Sequence, residues 1–405
     1  MSKVIAVLAA LAVVSSAQAA DVRIGPKGVL YVHGEPTFLV GLSPGPPPNS
    51  RTPAGSDAWT EVAGRGVRMY RYVPTEPWSP QTYPHADAFL DHVSSHGGVV
   101  WLGLRELARA QPGTPEAATL RDLAQRFSSH PGMGVWRGVD EPWWSGVPAE
   151  ETAHAYMTLK ALDPATPMFT IQAPRGTAAD LAPYSAFTDI HGADPYPVRL
   201  RTQTRGHDLR MVGQWTRFMR GITPSRAVVM TLGICHSGAR SPDLSTFILP
   251  TRHELRFQVY DAIMNGARGL NFFGSHMCLS PADAELGWNW TAWYTALRPV
   301  LTEIAPGAPL HDALIRPGTG AGLRVRGYAA AVVSRRTATD LWVIVANRAR
   351  GDGKRIVRVS GLPKTVRRAK IYGRPRHLEV RDGAVTLRLR EWGVQVLRVP
   401  TAPEP

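Results

Sequence analysis

Residues 130–142 read HPGMGVWRGVDEP, and this stretch decides how the rest of the chain is interpreted. Apart from Arg137, Gly134 to Val139 is a short run of apolar and small residues, which is typical of a strand buried in a parallel sheet. Asp140 and Glu141 follow at once, and Pro142 cannot extend the ladder of backbone hydrogen bonds. The stretch therefore predicts a buried strand whose carboxyl end presents two neighbouring carboxylates.

Similar apolar runs recur on both sides of this strand, and a helical pattern follows each of them. The predicted strands are Phe38–Leu42, Val67–Val73, Val99–Leu104, Gly134–Val139, Met168–Gln172, Thr188–Ala193, Ala227–Leu232 and Gly269–Phe273. The predicted helices are 57–64, 86–95, 115–128, 150–162, 177–182, 207–220, 252–265 and 290–304. This alternation predicts an α/β fold with a parallel sheet and right-handed crossovers.

Eight repeats of strand and helix predict a closed (β/α)₈ TIM barrel. A doubly wound open sheet is the competing architecture. The count of eight favours the barrel, and so does the first strand, because no glycine-rich phosphate loop follows it.

The sequence patterns at the two ends of the chain differ from the strand–helix alternation of the barrel. Residues 1–20 combine Lys3, an apolar run and a small-x-small cleavage site, which predicts a signal peptide and a secreted or periplasmic protein. The barrel, with an N-terminal hairpin, is assigned to 21–308. Eight short strands separated by turns then predict a small antiparallel β-sandwich domain over 309–400, with a loose tail at 401–405.

The charge of the chain is concentrated in its C-terminal part. The net charge is +14, and from Asp312 onward there are 20 Lys and Arg against 7 Asp and Glu. One interpretation is a solvated arginine-rich surface in a compositionally biased protein. The other is a patch that holds an anionic polymer or an envelope surface. We expect no nucleic-acid partner and no membrane span.

Polar and aromatic residues follow most of the predicted barrel strands. Because the strands of such a barrel end on one face, these side chains are expected to form a single rim. Asp140, Glu141 and Asp194 are the predicted catalytic residues. The predicted substrate-binding residues are Arg71, Glu106, Trp143, Trp144, Gln172, Tyr196, His236 and His276. Trp78 and Trp288 are further candidates for stacking on sugar rings.

Several pieces of the chain resemble clan A glycoside hydrolases in their order. The Asp140-Glu141-Pro142 stretch is similar to the Asn-Glu-Pro motif that ends strand four in those barrels, and Asp194-Pro195-Tyr196-Pro197 resembles the end of strand six. The resemblance implies a hydrolase of O-glycosidic bonds in an oligo- or polysaccharide, with Glu141 as general acid/base.

The chain departs from that pattern at strand seven, where Val228 to Ile234 contains no Glu for a nucleophile. Three interpretations remain open. In the first, Asp194 is the second carboxylate and acts as the base of an inverting reaction. In the second, Asp140 acts beside Glu141, as in barrel hexosaminidases that use a substrate acetamido group as nucleophile. In the third, catalysis has been lost and a carbohydrate- or envelope-binding protein remains. For Asp140, pairing with a rim arginine such as Arg71 is an equal alternative.

The remaining motifs exclude other chemistries. Cys235 and Cys278 follow strands seven and eight, which are neighbours in a closed barrel, so a disulfide between them is expected rather than a catalytic thiol. We expect no cofactor and no metal, because the sequence has no His-Glu-x-x-His, CxxC, Walker or dinucleotide motif.

Overall fold

The computed structural model describes residues 22–198, 208–235, 249–316, 322–351 and 353–401. The predicted signal peptide and most of the predicted tail lie outside these residues. The chain begins with a three-stranded antiparallel sheet made of β1 (Val22–Ile24), β2 (Leu30–Val32) and β3 (Glu35–Thr37).

Eight parallel strands then close into a barrel in the order β10-β11-β4-β5-β6-β7-β8-β9. Their bounds are β4 Leu39–Ser43, β5 Met69–Tyr72, β6 Val99–Gly103, β7 Met133–Arg137, β8 Met168–Gln172, β9 Ile190–Ala193, β10 Ala227–Gly233 and β11 Gly269–Phe273. The last strand closes the ring because β11 pairs in parallel with β4, Gly269 lying opposite Leu39. The predicted barrel is therefore confirmed and the open sheet is excluded.

Helices cover the outside of the barrel. They are α1 Ala58–Ala63, α2 Tyr83–Ser95, α3 Pro115–Phe127, α4 Ala149–Leu162, α5 Ala178–Leu181, α6 Arg210–Ile222, α7 Arg252–Asn265, α8 Pro281–Glu285, α9 Trp290–Ala292, α10 Arg298–Ile304 and α11 His311–Ile315. A π-helical turn joins α9 to α10, so the predicted helix 290–304 is continuous but wound more loosely at its centre.

Local sequence explains where these helices begin and end. Thr114 caps α3 by accepting a hydrogen bond from the backbone N–H of Ala117. A reciprocal capping box between Thr251 and Glu254 starts α7. Gly266, with φ at 100°, ends α7 in the left-handed conformation that a residue with a side chain rarely adopts.

The barrel interior is packed with side chains below its open end. Leu39, Met69, Val135 and other strand residues form one buried cluster that also takes in Val22 from the N-terminal sheet. That sheet consequently covers the barrel floor. The cavity that remains lies at the carboxyl ends of the strands, where barrels of this kind have their active sites.

The C-terminal part is a sandwich of two antiparallel sheets. One has the order β12-β15-β18 and the other β13-β14-β19-β16-β17. The strands are β12 Arg324–Arg326, β13 Ala330–Arg336, β14 Asp340–Asn347, β15 Arg355–Ser360, β16 Arg368–Ile371, β17 His377–Glu379, β18 Ala384–Leu389 and β19 Val394–Pro400. The predicted fold class, a TIM barrel followed by a β-sandwich, is confirmed.

The five-stranded sheet lies between the barrel and the three-stranded sheet. Alternate residues of β14 point to opposite sides, so Trp342 and Ile344 pack in the same cluster as the barrel helices while Val343 packs in the sandwich core. A buried ion pair of 3.1 Å between Arg348 and Asp261 also ties the sandwich to α7. None of the helices among the described residues has the length and apolarity needed to cross a membrane.

Candidate active site

A cavity of about 110 Å³ opens at the carboxyl ends of the barrel strands. Its walls come from strand ends around the ring and combine acids, arginines and aromatic rings. The lining residues are Ser43, Arg71, Trp101, Arg137, Asp140, Glu141, Ile171, Asp194, Tyr196, Thr231, Asn271 and Phe273. The three predicted catalytic residues therefore share one cavity with two of the predicted substrate-binding residues, Arg71 and Tyr196.

Glu141 sits on a tight turn that follows β7. Its φ of 45° is in the left-handed region, where a residue with a side chain is strained. The backbone N–H of Glu141 donates to the carbonyl of Ile171 at 3.0 Å, and its own carbonyl accepts from the N–H of Ser145 at 2.9 Å. These bonds hold the strained turn in place, and the half-buried carboxyl group of Glu141 lines the cavity.

Glu141 and Asp194 are hydrogen-bonded to each other through their carboxyl groups. Asp194 is 9% exposed, and burial raises its pKa well above the ordinary value, with the charge of Glu141 adding to the effect. Burial also raises the pKa of Glu141, and the charge of Asp140 acts in the same direction. Two touching carboxyl groups cannot both ionise easily, so the pair retains a proton above the pH at which isolated carboxyls lose theirs.

Asp140 has a different environment from Glu141. Its carboxylate is 58% exposed and accepts a 2.6 Å contact from the guanidinium of Arg137. Arg137 in turn lies 5.1 Å above the ring of Trp101, and Trp101 stacks on Phe169 at 4.6 Å. Asp140 is thus an exposed carboxyl group paired with an arginine, beside a buried pair that holds a proton.

The arginine that pairs with Asp140 is Arg137 and not Arg71, the example that the sequence suggested. Arg71 instead lies 5.4 Å above the ring of Phe273. Its burial, together with the charge of Arg137, lowers the pKa of Arg71 to about 10. Arg71 remains charged at neutral pH, so it supplies a fixed positive charge to the cavity wall.

Phe273 forms an aromatic wall with two predicted residues. Tyr196 stacks on it at 5.9 Å, and the exposed ring of His276 meets it edge-on at 5.5 Å. Burial raises the pKa of Tyr196 well above its usual value, and the charge of Asp194 adds to this, so the phenol stays neutral and serves as a hydrogen-bond donor to Asp194. His236 lies outside the described residues.

The loops beside this wall are joined covalently. Cys235, just past β10, forms a disulfide with Cys278 in the loop after β11, across a sequence separation of 43 residues. A larger groove of about 570 Å³ lies on another side of the rim, between the loop Pro44–Asn49 and Phe89 of α2. Because Arg71 lines both spaces, the groove and the acidic cavity are neighbours.

Several residues predicted from the sequence do not line the cavity. Glu106 accepts a hydrogen bond of 2.7 Å from the backbone N–H of Trp78, so its role is to hold a loop. Gln172 is fully buried, and its Oε1 accepts a 3.5 Å bond from the N–H of Trp143. Trp144 is 54% exposed outside the cavity, with the guanidinium of Arg175 4.0 Å above its ring.

Two tryptophans suggested as sugar platforms belong to the packed core. Trp78 is 5% exposed and donates from its indole N–H to the carbonyl of Gly103 at 2.9 Å. Trp288 is 1% exposed and packs edge-on against Trp290 at 4.8 Å. Neither ring has a free face for a sugar, so the stacking role suggested for them is wrong.

Asn271 lines the cavity and was not singled out from the sequence. Thr231 and Asn271 face each other inside the barrel, where the amide of Asn271 donates to the Thr231 hydroxyl at 3.3 Å. Asn271 Oδ1 has no hydrogen-bond partner among the described residues. A single amide within the apolar run Gly269–Phe273 was the available signal, because a polar residue at a buried strand position usually has a specific role.

Among the residues that the structure describes, no group of three or more His, Cys, Asp or Glu side chains is arranged to hold a metal ion. The carboxyl groups of the cavity instead contact each other and arginine. The arrangement can donate a proton from a buried acid pair, and it can place the carboxyl group of Asp140 and two guanidinium groups beside a small polar ligand.

No family model and no curated protein matches the sequence. Solved structures do match the fold. A protein described as a glycoside hydrolase aligns with a TM-score of 0.61 at 12% identity, over 95% of this chain and 98% of its own. A family 5 glycoside hydrolase from Bacteroides vulgatus ATCC 8482 aligns with a TM-score of 0.64 at 14% identity, over 94% of this chain and 93% of its own. A catalytic mutant of a family 42 β-galactosidase from G. stearothermophilus aligns with a TM-score of 0.56 at 9% identity, over 90% of this chain and 98% of its own.

These likenesses confirm the fold that the sequence suggested, a (β/α)₈ barrel followed by a β-sandwich, and glycoside hydrolases share this fold. The alignments extend over barrel and sandwich together, since they cover nearly all of both chains. Similarity at this level of identity carries the architecture and not the activity.

Proposed function

We propose that the chain is a glycoside hydrolase in which Glu141 protonates the oxygen of the scissile glycosidic bond. The observation that carries the proposal is the hydrogen-bonded pair of Glu141 and Asp194 at the open end of the barrel. A general acid has to keep its proton until substrate binds, and burial of Glu141 raises its pKa and so favours the protonated form. The shared fold with glycoside hydrolases supports the same conclusion.

Asp194 acts in this proposal as a positioning residue. Its more deeply buried carboxyl keeps the pair protonated and aims the Glu141 side chain, while Tyr196 orients Asp194 by a hydrogen bond. Once Glu141 gives up its proton, the remaining negative charge is stabilised by the groups around it, among which Arg137 and Arg175 are close enough to lower its pKa.

The contact between Glu141 and Asp194 bears on the mechanism. Carboxyl groups that act on opposite sides of a sugar are about 5–5.5 Å apart in retaining enzymes and about 6.5–9.5 Å apart in inverting enzymes. A directly hydrogen-bonded pair leaves no space for a sugar carbon between them. The geometry therefore disfavours Asp194 as the base of an inverting reaction.

Asp140 is the better candidate for the second carboxylate. It lines the same cavity, and its contact with Arg137 fixes its position. This arrangement favours the substrate-assisted reaction, in which Asp140 would orient an acetamido group as the nucleophile while Glu141 protonates the leaving oxygen. The substrate class is then an oligo- or polysaccharide that contains N-acetylated sugars.

We also propose that the protein acts outside the cytoplasm, as a secreted or periplasmic enzyme. The support is the pattern of residues 1–20, with a basic start, an apolar run and a small-x-small site. A disulfide between Cys235 and Cys278 agrees with an oxidising compartment.

One observation favours a second candidate, a carbohydrate-binding protein without catalysis. Thr231 occupies the cavity position at the end of β10, and the described part of the chain after this strand contributes no carboxylate to the cavity. If the reaction needs a carboxylate from that strand, the site could bind a sugar without cleaving it.

The test compares Glu141→Gln with the unmodified protein on a polysaccharide panel and on aryl glycosides. Loss of a general acid lowers kcat/KM by about 10²–10⁴-fold when the leaving group needs a proton. The loss should be much smaller for a dinitrophenyl glycoside, because a dinitrophenolate leaves without protonation. Glu106→Gln is the matched control, since that carboxylate holds a loop outside the cavity.

Equal activity of the Glu141→Gln variant on all substrates would exclude Glu141 as the acid. Glycan binding by the unmodified protein with no hydrolysis of any panel member would establish the second candidate. Cleavage confined to N-acetylated substrates is the result expected for the substrate-assisted reaction.

A further inference from the structure

The outer sheet of the sandwich has an exposed surface made largely of arginine. We call it the arginine face and define it as the solvent side of β12, β15 and β18. Its members are Arg324, Arg326, Tyr328, Ile356, Arg358 and Arg388, all exposed. It lies on the side of the sandwich remote from the five-stranded sheet, so the barrel does not cover it.

Strand register shows that the members within these three strands share one side; Tyr328 follows the end of β12. Arg326 lies directly opposite Arg358, and Ile356 lies opposite Arg388. The intervening residues Val357 and Val359 point inward to the sandwich core. Since neighbouring strands are about 4.8 Å apart and alternate residues about 6.6 Å apart, the guanidinium groups form a compact, regular array.

The positive charge of this face is not neutralised. Within the described part of the chain, Arg324, Arg326, Arg358 and Arg388 form no ion pair and no side-chain hydrogen bond. Like charges directly opposite each other in a sheet are destabilising. By contrast, Arg398 on the other sheet is paired with Asp340 at 2.8 Å.

Apolar surface accompanies the charge. Tyr328 is 75% exposed and Ile356 is 62% exposed, two of the few large apolar side chains that the described surface presents. The guanidinium of Arg355 lies 5.9 Å from the Tyr328 ring. Tyr328 is also within electrostatic reach of Arg210, the first residue of α6, so this residue marks the end of the face that is nearest to a barrel helix.

We infer that the arginine face binds an acidic polysaccharide through the carboxylates of its sugar residues. Guanidinium groups accept carboxylates in a two-point geometry, and a flat sheet holds them at fixed spacings along an extended chain. Exposed Tyr328 provides a ring on which a sugar can stack. This binding requires no hydrolysis by the barrel and is independent of the activity proposed above.

The experiment measures binding of the full chain to polygalacturonate, with a neutral glucan as the comparison polymer. The test variant is Arg326→Gln/Arg358→Gln, and a second is Arg324→Gln/Arg388→Gln. The control is Arg374→Gln/Arg376→Gln, which removes the same charge from an exposed turn between β16 and β17. Thermal unfolding of each variant checks that it is folded.

We expect each test variant to bind polygalacturonate about tenfold more weakly or worse, a loss that corresponds to about 1.4 kcal/mol. The control should bind like the unmodified protein, and added salt should weaken binding of the unmodified protein. An equal loss in the control would overturn the proposal. So would equal binding of the neutral glucan, or tighter binding of duplex DNA or phosphatidylglycerol vesicles than of polygalacturonate.

Discussion

Replacing Asp194 with Asn should make the protein more stable at neutral pH. Asp194 is buried, and one of its oxygens, Oδ1, has no hydrogen-bond partner among the described residues. Burial raises its pKa, and the charge of Glu141 raises it further. The amide of Asn has nearly the same shape, carries no charge, and can donate a hydrogen bond to the carboxylate of Glu141.

The sign of the effect follows from the direction of the shift. A carboxyl group whose pKa is higher in the folded than in the unfolded state contributes stability below its unfolded pKa, about 4. That contribution is lost as the pH rises through the folded pKa. Each pKa unit of difference corresponds to about 1.4 kcal/mol. The Asp194→Asn variant lacks this loss. We expect its free energy of unfolding at neutral pH to exceed that of the unmodified protein by roughly 1–3 kcal/mol, because one poorly satisfied buried polar group usually costs about that much.

The assay is urea unfolding at about pH 4 and about pH 7, on either side of the ordinary carboxyl range. The unmodified protein should lose more stability between these two values than the Asp194→Asn variant. Asp189→Asn is the matched control, because Asp189 is ion-paired with Lys160 at 2.8 Å and its replacement should reduce stability at neutral pH. A loss of stability in Asp194→Asn with an unchanged pH dependence would refute the reasoning.

Three further substitutions test the scaffold of the site. Asp163→Ala removes the acceptor of the buried Trp136 indole N–H at 2.9 Å, and urea unfolding should show a loss of roughly 1–3 kcal/mol; an unchanged midpoint would contradict this. Replacing Cys235 and Cys278 with Ala opens a loop of 43 residues and should lower stability by roughly 4 kcal/mol under oxidising conditions, with no difference from the reduced unmodified protein. Gly192→Ala would place a methyl group against a backbone carbonyl of β10, so the yield of soluble protein should fall sharply. A variant that unfolds at the same temperature as the unmodified protein would argue against this close approach of β9 to β10.

The fold was predictable because its hydrophobic pattern is regular. Buried parallel strands appear in the sequence as largely apolar runs, and β10 (Ala227–Gly233) is buried over its whole length. Sandwich strands show alternation instead: in β18 the exposed Thr386 and Arg388 alternate with buried neighbours. Strand ends were less accurate; β9 begins at Ile190, two residues later than expected, because Thr188 uses its hydroxyl to bond backbone carbonyls before the strand starts.

The site was predictable only as a set of strand ends. Knowing that β7 and β9 end on one face placed Glu141 and Asp194 on the same rim, but not in contact. Whether two rim side chains touch depends on the directions in which they point. The directions of the Glu141 and Arg137 side chains could not be predicted from the sequence pattern. Glu141 adopts a left-handed backbone conformation, and Arg137, three residues before Asp140, reaches forward to pair with it.

Glu106 and Gln172 show the same limit. Both follow or end barrel strands, as expected, yet their polar atoms are used by backbone N–H groups of neighbouring loops. A rim carboxylate or amide can bind substrate or hold a loop, and residue type alone does not distinguish the two uses.

The proton that Glu141 and Asp194 retain above the ordinary carboxyl range can be measured by following their carboxyl carbons in a ¹³C NMR titration. We expect two coupled steps in the unmodified protein, one of them well above the ordinary carboxyl pKa of about 4. In Glu141→Gln the coupling should disappear, leaving a single raised step from Asp194. Ordinary pKa values for both groups in the unmodified protein would show that Glu141 and Asp194 do not share a proton.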